Sequence, residues 1–173
     1  MTLDRLFLDC SIANLRKYTE RIAVCTGKLD VAQMWTRGSE RENAVGNLVL
    51  HLCGNVRQWI VAGVGRTPDT RDRDAEFGAR GGLPAAELAA RLRETVEQAV
   101  VVIDGITPER LSERLVVQGY DVSVLEAIYH VVEHFSHHTG QILFATKAFT
   151  GEDLGFYRHL SKAAPGDSTA SGL

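Results

Sequence analysis

Apolar residues recur every three to four positions along four stretches of the chain, and this spacing predicts amphipathic helices. The predicted helices cover residues 2–26, about 42–63, 84–105 and, after a cap at Asp121 or Ser123, up to about 149. Their ends carry the expected signals, because Gly27 and Gly105 supply stops and Pro84 opens the third helix. Four amphipathic helices without a convincing sheet predict an all-α four-helix bundle.

One domain is expected to hold all four helices. With 173 residues, the chain is long enough to bury about two thirds of its unfolded surface, so folding requires neither a disulfide nor a metal. The predicted domain covers residues 1–160. Residues 161–173, which are rich in Ala, Pro, Gly, Asp and Ser, are predicted to form a flexible C-terminal tail.

The connections between the helices differ in length. Gly65–Gly82, between the second and third helices, is rich in Asp, Arg, Gly and Thr and predicts an exposed, solvated loop. About twenty residues can travel the full length of a bundle, so the second and third helices are free to run parallel. Before the fourth helix, Leu115–Gly119 is expected to be extended or irregular.

The second helix is apolar on more sides than one core requires. Val45, Leu48 and Leu52 belong to its core face, whereas Leu50 and Val61 fall on the opposite side. Such a surface is expected to be covered by something further, and we predict a homodimer.

Composition narrows the classes of function. The chain has 19 basic and 22 acidic residues and a net charge of −3, which argues against binding to nucleic acid or to an anionic membrane surface. Its three cysteines form no CxxC pattern and suit a reducing compartment. Asp4, Arg5 and Asp9 interrupt the apolar residues at the N-terminus, so no signal peptide is expected, and no apolar run is long enough to span a membrane. We therefore expect a cytoplasmic protein.

Four of the six histidines lie within nine positions of the fourth helix, from His130 to His138. Clustered imidazoles most often hold a metal ion. At 100° per residue, His138 lies within roughly 30° and His134 within about 70° of the centre of the apolar face. His130 and His137 fall more than about 100° away, towards solvent. Because His134 and His138 are also one turn apart, this pair is predicted to share an ion.

Other interpretations of the same residues stay open. His130-Val-Val-Glu-His134 matches the H-x-x-E-H pattern of inverzincin metalloproteases, although only 39 residues follow it. The histidines could also be surface and capping residues that bind no ion. On the second helix, His51 lies beside Asn47, Asn55 and Gln58. Spacing alone does not decide whether His51 is a boundary residue, part of a pocket wall or a ligand.

Two segments taken together resemble a known family. Asn47-Leu-Val-Leu-His51-Leu, followed by Trp59, and His134-Phe-Ser-His-His138-Thr-Gly-Gln141 are similar to motifs of the DinB/YfiT-like superfamily of metal-dependent enzymes. The resemblance covers roughly residues 2–160. Thr139 stands where the family pattern usually has a basic residue. The resemblance implies a four-helix bundle with up-down-down-up topology, which agrees with the long second connection.

The resemblance also implies a site and an activity. It assigns His51, His134 and His138 as ligands of a divalent metal, zinc or nickel, and implies chemistry on a small-molecule substrate, either transfer of a low-molecular-weight thiol or hydrolysis. Asn47, Asn55, His130 and Gln141 are candidates for the pocket wall. No catalytic residue is assigned. The alternative is a non-catalytic bundle that binds a metal or a ligand, and fold alone does not decide between them.

Overall fold

The computed structural model describes residues 1–160 and consists mainly of helices. The helices are α1 (Leu3–Thr26), α2 (Val31–Trp35), α3 (Val45–Val56), α4 (Arg73–Gly78), α5 (Ala85–Asp104) and α6 (Val124–Thr150). A π-helical segment (Arg57–Val64) continues α3, 3₁₀ turns cover Glu109–Ser112 and Arg158–Leu160, and a hairpin pairs β1 (Arg114–Val117) with β2 (Tyr120–Ser123). The predicted C-terminal tail lies outside the described residues.

Contacts along α1 fix its direction relative to two neighbours. Arg5 pairs with Asp104 at one end of α1, and Glu20 pairs with Arg93 further along, so α1 and α5 are antiparallel. Tyr18 packs on Phe135, and Lys28, just beyond α1, pairs with Glu152, just beyond α6. The later residue on the α1 side contacts the later residue on the α6 side, so α1 and α6 are parallel.

Contacts along α3 complete the topology. The Cys53 thiol lies beside the Thr95 hydroxyl, and Gly65 lies against Val102, so α3 runs parallel to α5. His51 contacts His134, whereas Trp59 contacts His130, so α3 and α6 are antiparallel. The helices α1, α3, α5 and α6 therefore run up, down, down and up, which confirms the predicted bundle and its long crossover.

One hydrophobic core lies between the four long helices. Its fully buried members include Leu15 and Ile22 from α1, Val49 and Leu52 from α3, Leu88 and Ile103 from α5, and Ile128, Phe135 and Ile142 from α6. Each such side chain stabilises the fold by about 1.5–3 kcal/mol relative to exposure. A core of this size is expected to fold without a metal.

The ends of α6 are set by local hydrogen bonds and backbone geometry. The Ser123 hydroxyl accepts a hydrogen bond from the Glu126 backbone N–H, and the Glu126 carboxylate accepts one from the Ser123 N–H. This reciprocal capping box starts the helix. Gly151 ends it with φ of 69°, a conformation that costs glycine little.

The hairpin corrects the expectation that the chain has no sheet. Residues 115–117 are indeed extended, but they belong to a strand that pairs with Tyr120–Ser123 across the two-residue turn Gln118–Gly119. Gln118 and Gly119 have φ of 55° and 82°, as a type I′ turn requires. Gln-Gly is a weaker turn signal than Asn-Gly, which is why periodicity missed the hairpin. Gly63 allows the hairpin to approach the π-helical segment, since a Cβ there would lie 2.8 Å from Val117.

The connection between α3 and α5 is also different from the solvated loop that its composition predicts. It contains α4, capped by the Asp72 side chain, which accepts a hydrogen bond from the Ala75 N–H at 2.9 Å. Glu76 is buried, and the Arg71 side chain is only 2% exposed. Charged side chains are rarely buried unless they are paired. Here Arg71 and Glu76 pair with each other, so this charge-rich segment can pack against the bundle.

The extra apolar face of α3 is largely covered by the chain itself. Leu50 and Val61 are half-buried and pack against the core cluster, so they do not require a second subunit. Large apolar side chains are exposed on α6 instead, with Tyr129 at 59% and Phe144 at 76% exposure. The homodimer stays a prediction. Within the described residues, every helix is too short or too polar to cross a membrane.

Candidate metal centre

Three histidines from two helices converge at one point between α3 and α6. One ring nitrogen from each of His51, His134 and His138 lies within 4.8 Å of the other two. The Nε2 atoms of His51 and His134 are 2.8 Å apart. The ring of His138 is 5.0 Å from that of His51 and 4.4 Å from that of His134, centre to centre. These are the three residues that the sequence resemblance assigns as ligands.

The cluster lies where the core meets solvent. His51 is buried, with 6% exposure, whereas His134 and His138 are half-buried. A groove of about 190 Å³ opens beside them, lined by His130, Glu133, His134, His137 and His138. A small molecule can therefore approach two of the three imidazoles from solvent, while the third is enclosed.

His51 is held from behind by a buried ion pair. Its Nδ1 lies 3.1 Å from Glu76 Oε2 and 3.0 Å from Arg71 Nη2. Arg71 donates two parallel hydrogen bonds of 2.8 Å to the Glu76 carboxylate, through Nε and Nη2. The Phe77 ring packs on the imidazole at 4.7 Å. These contacts leave the Nε2 edge of His51 pointing at the other two histidines.

His138 is oriented by its own helix. Its Nδ1 lies 2.7 Å from Gln141 Oε1, one turn further along α6. An amide oxygen only accepts hydrogen bonds, so Nδ1 carries the proton and donates it to Gln141. The Nε2 lone pair is then available to a cation, which is the usual role of a hydrogen-bonded ligand histidine.

The cluster favours neutral imidazoles. Burial, together with the smaller effect of the neighbouring histidines, lowers the pKa of His134 to about 3. Burial also lowers the pKa of His138 and of His130. Burial would raise the pKa of Glu76, but hydrogen bonds from Arg71 and His51 outweigh it and leave this pKa below its ordinary value. Near pH 7 the imidazoles of His134 and His138 are therefore neutral, which is the form that binds cations.

These shifts make the stability of the metal-free protein depend on pH. An imidazole whose pKa is lower in the folded chain than in the unfolded chain takes up its proton preferentially on unfolding. We therefore expect the free energy of unfolding to fall as the pH drops below about 6.5, the ordinary histidine value. Urea denaturation in the presence of a chelator, at about pH 7.5 and about pH 5, measures this change in stability. Both pH values are above the ordinary pKa of a carboxylate. His134→Gln should weaken the dependence, and equal stability at both pH values would contradict the pKa shifts.

The four candidate pocket residues occupy different surroundings. His130 lines the groove and packs on Trp59 at 4.2 Å between ring centres. Gln141 orients His138 and also lines a second cleft, of about 560 Å³, between the α2–α3 connection and α6. Asn55 is buried, and its Oδ1 has no hydrogen-bond partner among residues 1–160. His130 and Gln141 therefore lie where a pocket wall would be.

Asn47 has a structural role. Its Nδ2 donates to the carbonyls of Glu76 and Ala79, both at 2.9 Å, and its Oδ1 accepts from the Ala44 N–H and from Arg37. An amide side chain has two donors and two acceptor positions, so nothing is left for a ligand. Asn47 instead ties α4 to α3, which holds Glu76 over His51.

Sequence reasoning missed Arg71 and Glu76 because they lie in a segment whose composition predicts a solvated loop. The available signals were an Asp72 cap and Phe77, an aromatic residue within a charged stretch. Neither signal reveals burial against a distant helix, which is a tertiary property.

The competing motif does not form the cluster. His134 is shared by both interpretations, but His130 packs against Trp59 and is not one of the three residues whose ligand atoms converge. Thr139 is buried and donates to the Phe135 carbonyl at 2.7 Å, so it faces the core. Thr139, where the sequence departs from the family pattern, therefore lies outside the groove.

The donor set fits a divalent metal ion. Neutral imidazoles are common ligands of zinc and of other first-row transition metals. Two of the three rings have their Nδ1 beside a hydrogen-bonding partner, which directs Nε2 inwards. Three protein ligands leave further coordination open, as in catalytic sites. This geometry and the fold fit a metal-dependent enzyme.

Solved structures share this fold. A conserved protein from Enterococcus faecalis superposes with a TM-score of 0.73 at 17% identity, covering 88% of this chain and 99% of that one. A DinB-like protein from Bacillus subtilis gives 0.65 at 14% identity, with 85% and 96% coverage. A mycothiol-dependent maleylpyruvate isomerase gives 0.61 at 18% identity, with 82% of this chain but 63% of that one. At these identities the likeness establishes the fold, and it confirms the DinB-like bundle.

Sequence comparison places the chain in a family. No curated protein sequence matches it significantly. Residues 2–163 match the family described as "Protein of unknown function (DUF1572)". The match covers nearly the whole chain, including all three histidines of the cluster. The chain therefore belongs to the DUF1572 family and has the DinB-like fold.

Proposed function

We propose that this protein is a metal-dependent enzyme that acts on a small molecule, by transferring a low-molecular-weight thiol or by hydrolysis. The main support is geometric: three imidazoles converge beside a groove that is open to solvent. A purely structural site is instead closed by a full set of protein ligands.

His51, His134 and His138 are the residues that would hold the ion, and zinc or nickel suits their imidazole nitrogens. When bound, such an ion supplies Lewis acidity, which makes a thiol or a water acidic enough to act as a nucleophile near neutral pH. Glu76 and Gln141 orient two of the rings, and the core side of α3 keeps water away from His51.

The groove supplies the remaining groups. His130 lines it, is held by the Trp59 ring and has a lowered pKa, so it is neutral near pH 7 and able to accept a proton from a nucleophile in the groove. Glu133 and His137 line the same groove and are available to orient a polar substrate. At about 190 Å³, the space suits a small molecule better than a polymer.

Three further observations support details of the proposal. One structural neighbour is a mycothiol-dependent isomerase, which makes low-molecular-weight thiols the first cosubstrates to test. Cys10, Cys25 and Cys53 are free thiols, in keeping with a cytoplasmic location. The exposed Tyr129 and Phe144 on α6 offer an apolar surface for the proposed homodimer.

The function is tested by metal analysis followed by turnover. Protein purified without a nickel column is analysed by mass spectrometry for bound metal, and the loaded protein is then incubated with low-molecular-weight thiols and a panel of electrophiles and esters. The proposal predicts turnover that is lost on chelation and returns with zinc or nickel. Tight metal binding without turnover of any substrate would favour the non-catalytic binding bundle.

Removing the metal should lower stability without unfolding the protein. The core folds unaided, but the three imidazoles lose their shared partner, so the metal-free protein should stay helical and melt at a lower temperature. Mass action stabilises by about 2.7 kcal/mol at a free metal concentration of about 100 times Kd. This corresponds to about 5–10 °C in Tm for a chain of this size. Circular dichroism across a metal titration measures it; complete unfolding on chelation would indicate a structural ion.

A further inference from the structure

The pair formed by Arg71 and Glu76 stands against the enclosed face of the candidate metal centre. Both side chains are almost completely buried, with 2% and 9% exposure. Burying two charges is costly, and a buried pair is often no more stabilising than apolar residues of the same volume. Stability alone therefore gives little reason to keep this pair, whereas its contact with His51 gives it a chemical role.

The surrounding chain is built to hold the pair in place. Arg71 also donates to Gln58 through Nη1 at 2.8 Å, so its whole guanidinium is engaged. Two side chains hold the backbone of α4. Asn47 of α3 donates to the Glu76 carbonyl, and Arg37 donates to the Phe77 carbonyl at 2.8 Å. Gly54 leaves the space that Glu76 occupies, because a Cβ there would lie 1.7 Å from Oε1.

His51 can carry its proton on either ring nitrogen, and the two neighbours of Nδ1 favour opposite choices. The Glu76 carboxylate only accepts hydrogen bonds, so it favours a proton on Nδ1. The Arg71 guanidinium only donates, so it favours a bare Nδ1 and a proton on Nε2. Only the first form presents the Nε2 lone pair to the ion shared with His134 and His138.

We infer that Glu76 is a positioning residue that keeps the proton of His51 on Nδ1. Arg71 binds the Glu76 carboxylate, and the guanidinium therefore does not shift the proton to Nε2. The inference rests on the proposed metal site. Contacts of this kind typically change metal affinity by about 10–100-fold. The residue pair that controls affinity therefore lies in the α3–α5 connection, outside the two helices that carry the ligands.

Glu76→Gln tests the inference because it keeps the shape of the side chain and removes the charge. Without the carboxylate, Arg71 remains 3.0 Å from Nδ1 as a charged donor, so His51 should move its proton to Nε2. Affinity for zinc, measured by competition with a chromophoric chelator, should fall by about 10–100-fold. Glu97→Gln is the control: it removes the same charge from an exposed ion pair with Arg16, outside the groove, and should change affinity by less than about fivefold.

The double variant Arg71→Gln with Glu76→Gln separates positioning from charge. It removes the competing donor together with the carboxylate, so part of the affinity lost in Glu76→Gln should return. A purely structural role for Glu76 would instead make the double variant at least as weak as the single one, because both buried partners are then missing.

The protonation of His51 is read directly by ¹⁵N NMR of metal-free protein labelled at histidine. The expected result is a proton on Nδ1 in the wild-type protein and on Nε2 in Glu76→Gln. A proton on Nε2 in the wild-type protein, or unchanged zinc affinity in Glu76→Gln, would overturn the inference while leaving the proposed function intact. A wild-type protein that binds no zinc stoichiometrically would overturn both.

Discussion

Replacing His134 by alanine is expected to abolish stoichiometric binding of a divalent ion. Changes that only reorient a ligand lower metal affinity by up to about 100-fold, so removing a ligand should lower it by more than that. His134 lies at the centre of the cluster, since its Nε2 is 2.8 Å from that of His51 and its ring is 4.4 Å from that of His138. Without it, two imidazoles from different helices remain. Isothermal titration with zinc measures the loss, and His51→Ala and His138→Ala should behave alike.

The chain supplies matched controls for this result. His137 is next to His138 in sequence and lines the same groove, but it is exposed and outside the converging set. His137→Ala should weaken binding little, and His159→Ala should leave it unchanged. If His130→Ala and His137→Ala destroyed binding while His138→Ala left it intact, the assignment of ligands to the inner face of α6 would be wrong.

Gly54→Ala is expected to be the most destabilising single-methyl change in the region around the site. The new Cβ would lie 1.7 Å from Glu76 Oε1 and 2.8 Å from Arg71 Nε. Glu76 cannot simply rotate away, because Arg71 and His51 both hold its carboxylate. Breaking a buried ion pair costs about 3–5 kcal/mol, so a loss of about 3 kcal/mol in the free energy of unfolding is expected. Urea denaturation of the metal-free protein measures it.

Gly140→Ala is the control for this substitution. Gly140 also lies within a helix, but a Cβ there meets nothing within 4 Å. Alanine in place of a helical glycine is stabilising by about 0.5–1 kcal/mol. The two variants should therefore shift stability in opposite directions. Equal effects would show that the space at Gly54 is not needed by the Arg71–Glu76 pair.

The fold was largely predictable because its helices are amphipathic and end at strong signals. Pro84 and Gly105 flank α5, and Ser123 caps α6, as their residue types predict. The hairpin and the π-helical end of α3 were not predictable. The hairpin turns at Gln-Gly, which is a weak turn signal, and the π-helical segment packs against that hairpin, with Gly63 close to Val117.

Some residues of the candidate site were likewise predictable from the sequence, and others were not. Helical geometry alone separates His134 and His138 from His130 and His137, because all four lie on one helix of known period. His51 is on another helix, and only the family resemblance placed it with them. Arg71 and Glu76 were missed, since a charged segment without periodicity gives no sign that it will fold over a buried histidine.

We propose that His51, His134 and His138 together hold one divalent ion. Anomalous diffraction from crystals of protein loaded with zinc or nickel tests it most directly. We expect one strong anomalous peak per chain, bonded to a ring nitrogen from each of these three histidines. A peak bonded to His130 or His137 instead, or no peak between α3 and α6 in metal-loaded protein, would contradict it.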